Sequence, residues 1–156
     1  MVVVAEAKSG FSLLCRAGAV LCALPVAHVI ETMRPLPIDA LPGMPHFVAG
    51  VTIVRGTPLP VIVVNRLFGG EEKPPERLVV VRAGSRRVGF AVDAVVGVRE
   101  LSGDMLQRLP PLLGDAAHGA VADIGTLDGE LMVVLQAARV VPDEVFASIE
   151  TESAAS

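Results

Sequence analysis

Along this chain the apolar residues fall in short runs that end at glycine, proline or a charge, and several of the runs do not alternate with polar residues. Val48 to Val54 and Leu59 to Val64 flank one polar hinge, Arg55-Gly56-Thr57-Pro58. Both runs are rich in β-branched residues. Gly56 accepts the positive φ of a tight turn and Pro58 fixes its own φ where the second run begins, so the stretch predicts a hairpin. Arg55 is the only ionisable group between His46 and Arg66. The hairpin therefore carries a single charge at its tip, a residue type used more for recognition than for catalysis.

Upstream, Phe11 to Cys15 and Val20 to Leu24 predict another hairpin, turning at Arg16-Ala17-Gly18-Ala19. Val26 to Met33 places apolar residues at Val26, Val29, Ile30 and Met33, the spacing of one short helix. Four prolines between Arg34 and Pro45 remove four backbone donors, which makes that tract a loop. Asn65 to Phe68 reads as a brief turn and Gly69 to Pro75, GGEEKPP, as a linker. Residues 1–10 read as a flexible lead and 142–156 as a C-terminal helix or tail.

Past the linker the pattern starts again. Leu78 to Val81, a turn at Arg82-Ala83-Gly84-Ser85, and Val88 to Val92 follow the first hairpin at an offset of 66, with Arg16, Ala17, Gly18, Val26 and Val29 matching Arg82, Ala83, Gly84, Val92 and Val95. The central hairpin recurs at an offset of 73, where Gly56 and Arg66 match Gly129 and Arg139. The expected organisation is one domain over 11–141, with a first subdomain at about 11–69, a linker at 69–76 and a second subdomain at about 77–141. Val61 to Val64, Leu78 to Val81 and Leu131 to Leu135 are apolar at every position, so both faces of these strands need cover. Modules of about 65 residues are marginal alone, and the halves are expected to unfold as one unit.

Composition sharpens this. With 52% hydrophobic residues but five Phe and no Tyr or Trp, the core must be aliphatic, which favours strands. No apolar run reaches the ~20 residues of a membrane span, so no direct membrane insertion is expected. A net charge of −4 with scattered arginines argues against nucleic acid as a partner. The N-terminus MVVVAEAK lacks the layout of a secretory signal, which points to the cytoplasm. Cys15 and Cys22 read as small buried hydrophobes.

Candidate chemistry is sparse. His28, His46 and His118 stand apart from one another and from the cysteines, so no metal site is expected. No serine lies in a Gly-x-Ser-x-Gly elbow, and Gly69-Gly70 runs into two glutamates that would repel a phosphate. A duplicated β-protein could assemble an aspartic-protease dyad, but Asp93 and Asp128 both lie in the second half. Their matches in the first half are Ala27 and Arg55. Glu31 stands near Arg34 in the pattern and could reach Arg55, giving a charged edge to an apolar surface, an arrangement suited to a protein interface.

Gly50-Val51, Arg55-Gly56 and Pro60-Val61 resemble the Gly-Val-x-x-x-Arg-Gly-x-x-x-Pro-Val signature of CheW-like domains, the scaffold modules of bacterial chemotaxis arrays. Ala23-Leu24-Pro25-Val26, Val29-x-Glu31 and the run Val88-Gly89-Phe90-Ala91-Val92-Asp93-x-Val95-x-Gly97-Val98 extend the likeness from about Phe11 to Val141. Three positions depart: Ile53 stands for the family's Asn, Val63-Val64 for its Asp-Leu, and Gln136 for the parallel Asp. The resemblance implies an all-β fold of two SH3-like five-stranded β-barrel subdomains packed as a pseudo-repeat with short helices. It implies no catalysis, no cofactor and no metal. Its implied role is coupling the cytoplasmic tips of methyl-accepting chemoreceptors to the regulatory domain of a CheA-type histidine kinase; a non-chemotactic motility or developmental pathway is the alternative. In that family the positions matching Val29, Glu31, Gly50, Arg55 and Gly56 bear on receptor and kinase binding.

Overall fold

The computed structural model describes residues 10–69, 73–108, 119–137 and 141–155. The expected flexible lead therefore lies outside the described residues except for Gly10. Residues 70–72 of the linker, His118 and Arg139 also lie outside them. Strands β1 (Gly10–Ala17) and β2 (Val20–Pro25) form the first hairpin, β3 (Val29–Met33) follows, and β4 (Val48–Val54) with β5 (Thr57–Val63) forms the central one. A single helical turn, α1 (Val64–Leu67), then leads to the hairpin of β6 (Arg77–Ala83) and β7 (Arg86–Val92). The chain continues through β8 (Ala94–Leu101), β9 (Leu106–Arg108), β10 (Val121–Leu127) and β11 (Glu130–Leu135), and ends in helix α2 (Asp143–Ala155).

The helix expected over Val26 to Met33 is a short 3₁₀ turn at Val26–His28 followed by strand β3. Pro25 fixes the entry, and β-branched Val29 and Ile30 suit a strand that β6 is there to pair. The helical spacing of four apolar residues arose because β3 carries a bulge between Val29 and Glu31, which breaks the period of two. The proline tract is a loop, as expected. It is pinned to β4 by a bridge between Asp39 and Val51 and by the buried hydroxyl of Thr52, which donates to the Pro37 carbonyl at 2.8 Å.

Two sheets result, ordered β8-β1-β2-β11-β10-β9 and β3-β6-β7-β5-β4. Leaving aside short β9, each strand of one sheet stands where its repeat partner stands in the other: β8 with β3, β1 with β6, β2 with β7, β11 with β5 and β10 with β4. Both sheets contain one parallel pairing at the same place, β2 with β11 and β7 with β5. The pseudo-repeat and the two five-stranded units hold.

The subdomain boundary expected at 69–76 does not. The first sheet takes its hairpin β1–β2 from the N-terminal half and the rest from the C-terminal half, and the second sheet does the reverse. A lone hairpin cannot cover its own flanks, and the parallel neighbours that cover β2 and β7 come from the other half of the chain.

Three apolar clusters explain the strands that never alternate. Leu14, Leu21, Ala23, Leu101, Met132 and Val134 pack inside the first sheet. Val54, Leu59, Val61, Leu78, Val80 and Ala91 pack inside the second. Between the sheets lies the largest cluster, with Cys15, Cys22, Ile62, Val79, Val81, Phe90, Val133 and Leu135. Successive residues of one strand thus serve two cores, as Val80 and Val81 do. Helix α2 sets Val145, Phe146 and Ile149 against the central cluster. Cys15 and Cys22 face each other across β1–β2 as free, fully buried thiols, and burial pushes both up to about 12. They behave as the small hydrophobes expected of them.

Candidate protein-binding site

The turn between β4 and β5 consists of Arg55 and Gly56, both at positive φ, 51° and 80°. That pair of angles is the two-residue turn whose twist matches a hairpin, so Thr57 and Pro58 belong to the strand and not to the turn. From this tip the Arg55 Nε donates to Glu31 Oε2 at 2.9 Å and Nη2 donates to Oε1 at 3.2 Å. The Arg55 side chain is 74% exposed and that of Glu31 23% exposed. Glu31 lies on edge strand β3 and Arg55 at the end of edge strand β4, so the forked pair closes the second sheet on itself. Ile53, on the same edge strand β4 two residues before Arg55, is 63% exposed.

The other expected site residues divide by role. Val29 is half-buried against the central core and is not on the Glu31 face. Gly50 (φ +149) sits where a Cβ would lie 2.2 Å from the Asp39 carbonyl oxygen, so it admits the proline tract. Gly56 has open space around it and supplies only its φ. The structure brings Glu31 and Arg55 together and leaves Gly50 and Gly56 as backbone devices.

The first sheet repeats the closure with the charges reversed. Asp128 and Gly129 form the same positive-φ turn at 50° and 80°, and Arg99 on β8 reaches Asp128 at 3.3 Å. Arg16 on β1 grips Glu130 on β11 with both terminal nitrogens, tying the two halves of the chain across β2. Asp93, between β7 and β8, accepts from the Gly18 amide at 2.6 Å and from Asn65 at 3.4 Å, with Lys73 at 3.5 Å. The carboxylates of Asp93 and Asp128 thus serve separate structural contacts. In the sequence Asp93 stands out as a protease candidate and as part of the Val88–Val98 family run and Asp128 as a protease candidate alone, while nothing local marks Arg16 and Glu130 as a pair. The one signal for Asp128 was its match to Arg55 at the offset of 73.

Arg55 holds the Glu31 carboxyl below its ordinary 4.5, and Arg16 does the same for Glu130. A carboxyl whose folded pKa is depressed gives stability that is full above the unfolded value and lost as pH falls through the folded one. The gap in melting temperature between wild type and Glu130→Gln is therefore expected to be widest near neutrality and to narrow below about pH 4.5. Thermal melts from pH 7 to pH 3 check this, and a gap that widens on acidification contradicts it.

Two repeated five-stranded units share one apolar core, and each carries an ion pair at its matched positive-φ turn, an architecture of the scaffold class. The chain belongs to the CheW-like domain family, whose family model matches residues 12–145. It is 37% identical over 118 residues to Protein FrzA of Myxococcus xanthus, covering 72% of each chain. To the chemotaxis protein CheW of Helicobacter pylori it is 25% identical over 117 residues, covering 73% of this chain and 70% of that one. The crystal structure of the scaffolding protein TtCheW from Thermoanaerobacter tengcongensis superposes with a TM-score of 0.73 at 22% identity, over 83% of this chain and 90% of that one. The protein is a non-enzymatic adaptor of the chemotaxis class. Among the described residues no helix is long and apolar enough to cross a membrane.

Proposed function

We propose that this adaptor works in the cytoplasm, coupling the cytoplasmic tips of methyl-accepting chemoreceptors to the regulatory domain of a CheA-type histidine kinase, with Val29, Glu31, Gly50, Arg55 and Gly56 governing those contacts. The observation that carries the reading is the exposed Arg55 fork, held in one geometry by Glu31 at the end of an edge strand that also exposes Ile53. A charge fixed in place supplies register to a protein interface, and exposed apolar side chains on the same strand supply affinity. Glu31 and Arg55 are the contact residues, while Gly50 and Gly56 shape the backbone beneath them.

Reversing the charge converts attraction to repulsion, so Arg55→Glu is expected to weaken partner binding on the order of 30-fold. The melting temperature should change little, because the side chain is largely in water. Titration of both proteins against a receptor-tip fragment and the kinase regulatory domain, with melts alongside, tests this. Unaltered affinity for both partners refutes the assignment of Arg55, and wild-type protein that binds neither refutes the coupling role.

A further inference from the structure

We propose that the open end of the second sheet, where Arg82 and Arg87 stand side by side, receives carboxylates from an acidic segment of a partner protein. These two residues are direct cross-strand partners at the end of β6–β7, and both are exposed. Like charges set directly opposite each other destabilise a hairpin. By the alternation of the strands they share the face of Leu78, Val80 and Gly89, and so stand at the rim of the core inside this sheet. Glu31, opposite Val80, is the nearby acid on that rim. Its carboxylate is already gripped by Arg55, and Arg87 acts on it only as a weaker attraction through space. Among the described residues neither the Arg82 nor the Arg87 guanidinium makes a hydrogen bond or ion pair, whereas that of neighbouring Arg86 is engaged by Asp143 and stacks on Phe146.

The same corner of the first sheet contains its own answer to this charge. Arg16 is the repeat partner of Arg82, and there the chain supplies Glu130, which takes both guanidinium nitrogens. The repeat partner of Glu130 in the second sheet is Thr57, which is exposed and uncharged. The repeat partner of buried Leu21 is Arg87. One sheet has a satisfied arginine; the other has lost the acid and gained a second arginine. The group that fits is a carboxylate, because a carboxylate already fills the matched position in fork geometry. Two adjacent arginines match two acidic side chains on one peptide segment. This site adjoins Arg55 but does not depend on the receptor and kinase assignment.

Thr57→Glu returns the missing acid and is the first test. It is expected to raise the melting temperature of the full chain by about 2–4 °C over Thr57→Gln. No rise overturns the matched-corner premise. The second test follows the arginine Nε–Hε signals of the full chain by NMR during titration with a Glu-rich hexapeptide. Arg82 and Arg87 are expected to shift and saturate, and the response is expected to vanish in Arg87→Gln and in Thr57→Glu. No saturation with the peptide overturns the proposal. Equal or stronger saturation by inorganic phosphate, phosphatidylglycerol vesicles or a single-stranded oligonucleotide overturns the carboxylate assignment. The same shifts on concentrating the protein alone would make the occupant a second copy of this chain and overturn a separate partner.

Discussion

A fragment of residues 76–156 is expected to remain unfolded, and the whole chain to lose both sheets in one transition. The fragment keeps β6 to β11 but breaks both sheets. Without β1 and β2 the first sheet has no link between β8 and β11, and without β3 and β5 the second is reduced to the hairpin β6–β7. A two-stranded hairpin is at best marginal in water. The central core would also lose Leu13, Cys15, Cys22, Leu24, Ile62 and Val64 from the cluster that holds Phe90 and Val133. In the full chain this interleaving means neither sheet can open alone, since each removes strands that the connection of the other needs. Hydrogen exchange is the measurement: amides in the β2–β11 and β5–β7 ladders should open with the same free energy. Two separate transitions, or a dispersed spectrum from the fragment, would contradict the interleaved topology.

Gly50→Ala is expected to cost about 3–5 kcal/mol, far more than Gly56→Ala, although both residues have positive φ. At Gly50 the added Cβ meets main chain: the Asp39 carbonyl oxygen at 2.2 Å and its carbon at 2.7 Å, neither of which can rotate away. Relief requires the proline tract to lift, which breaks the Asp39 amide to Val51 carbonyl bond of 2.8 Å and its reciprocal of 2.9 Å. At Gly56 nothing lies within 4 Å, so only the left-handed conformation is penalised, at about 1–2 kcal/mol. Paired melts decide between the two, and equal losses would mean that Gly50 is needed for its φ alone. If Gly50 acts by holding the tract on β4, its variant loses partner binding only as far as that tract comes loose.

The site was legible in the sequence where its cause is local. Gly56 beside a polar hinge between two β-branched runs announced the turn, and Arg55 as the only charge in that stretch announced its tip. Glu31 lies in a stretch whose apolar spacing is helical, because a bulge in β3 disguises the strand period. The offset of 66 matches Arg82 to Arg16, but nothing local relates Arg82 to Arg87, which only the strand register sets opposite each other.

By itself the sequence determined the elements and their duplication. Turn glycines, β-branched runs and the offsets of 66 and 73 are properties of neighbouring residues, and they specify local backbone conformation whatever the rest of the chain does. It also determined that strands such as the one holding Leu78 to Val81 must be covered on both faces. Only the tertiary structure decided who covers them. Strand partners are chosen by apolar burial between residues far apart in the chain, and that choice set β1–β2 beside β11 and β6–β7 beside β5, across the apparent boundary. The same packing placed Glu31 under Arg55 and Glu130 under Arg16 while leaving Arg82 with Thr57 at the matched corner, since a charge finds its partner only after the strands that carry it have been brought together.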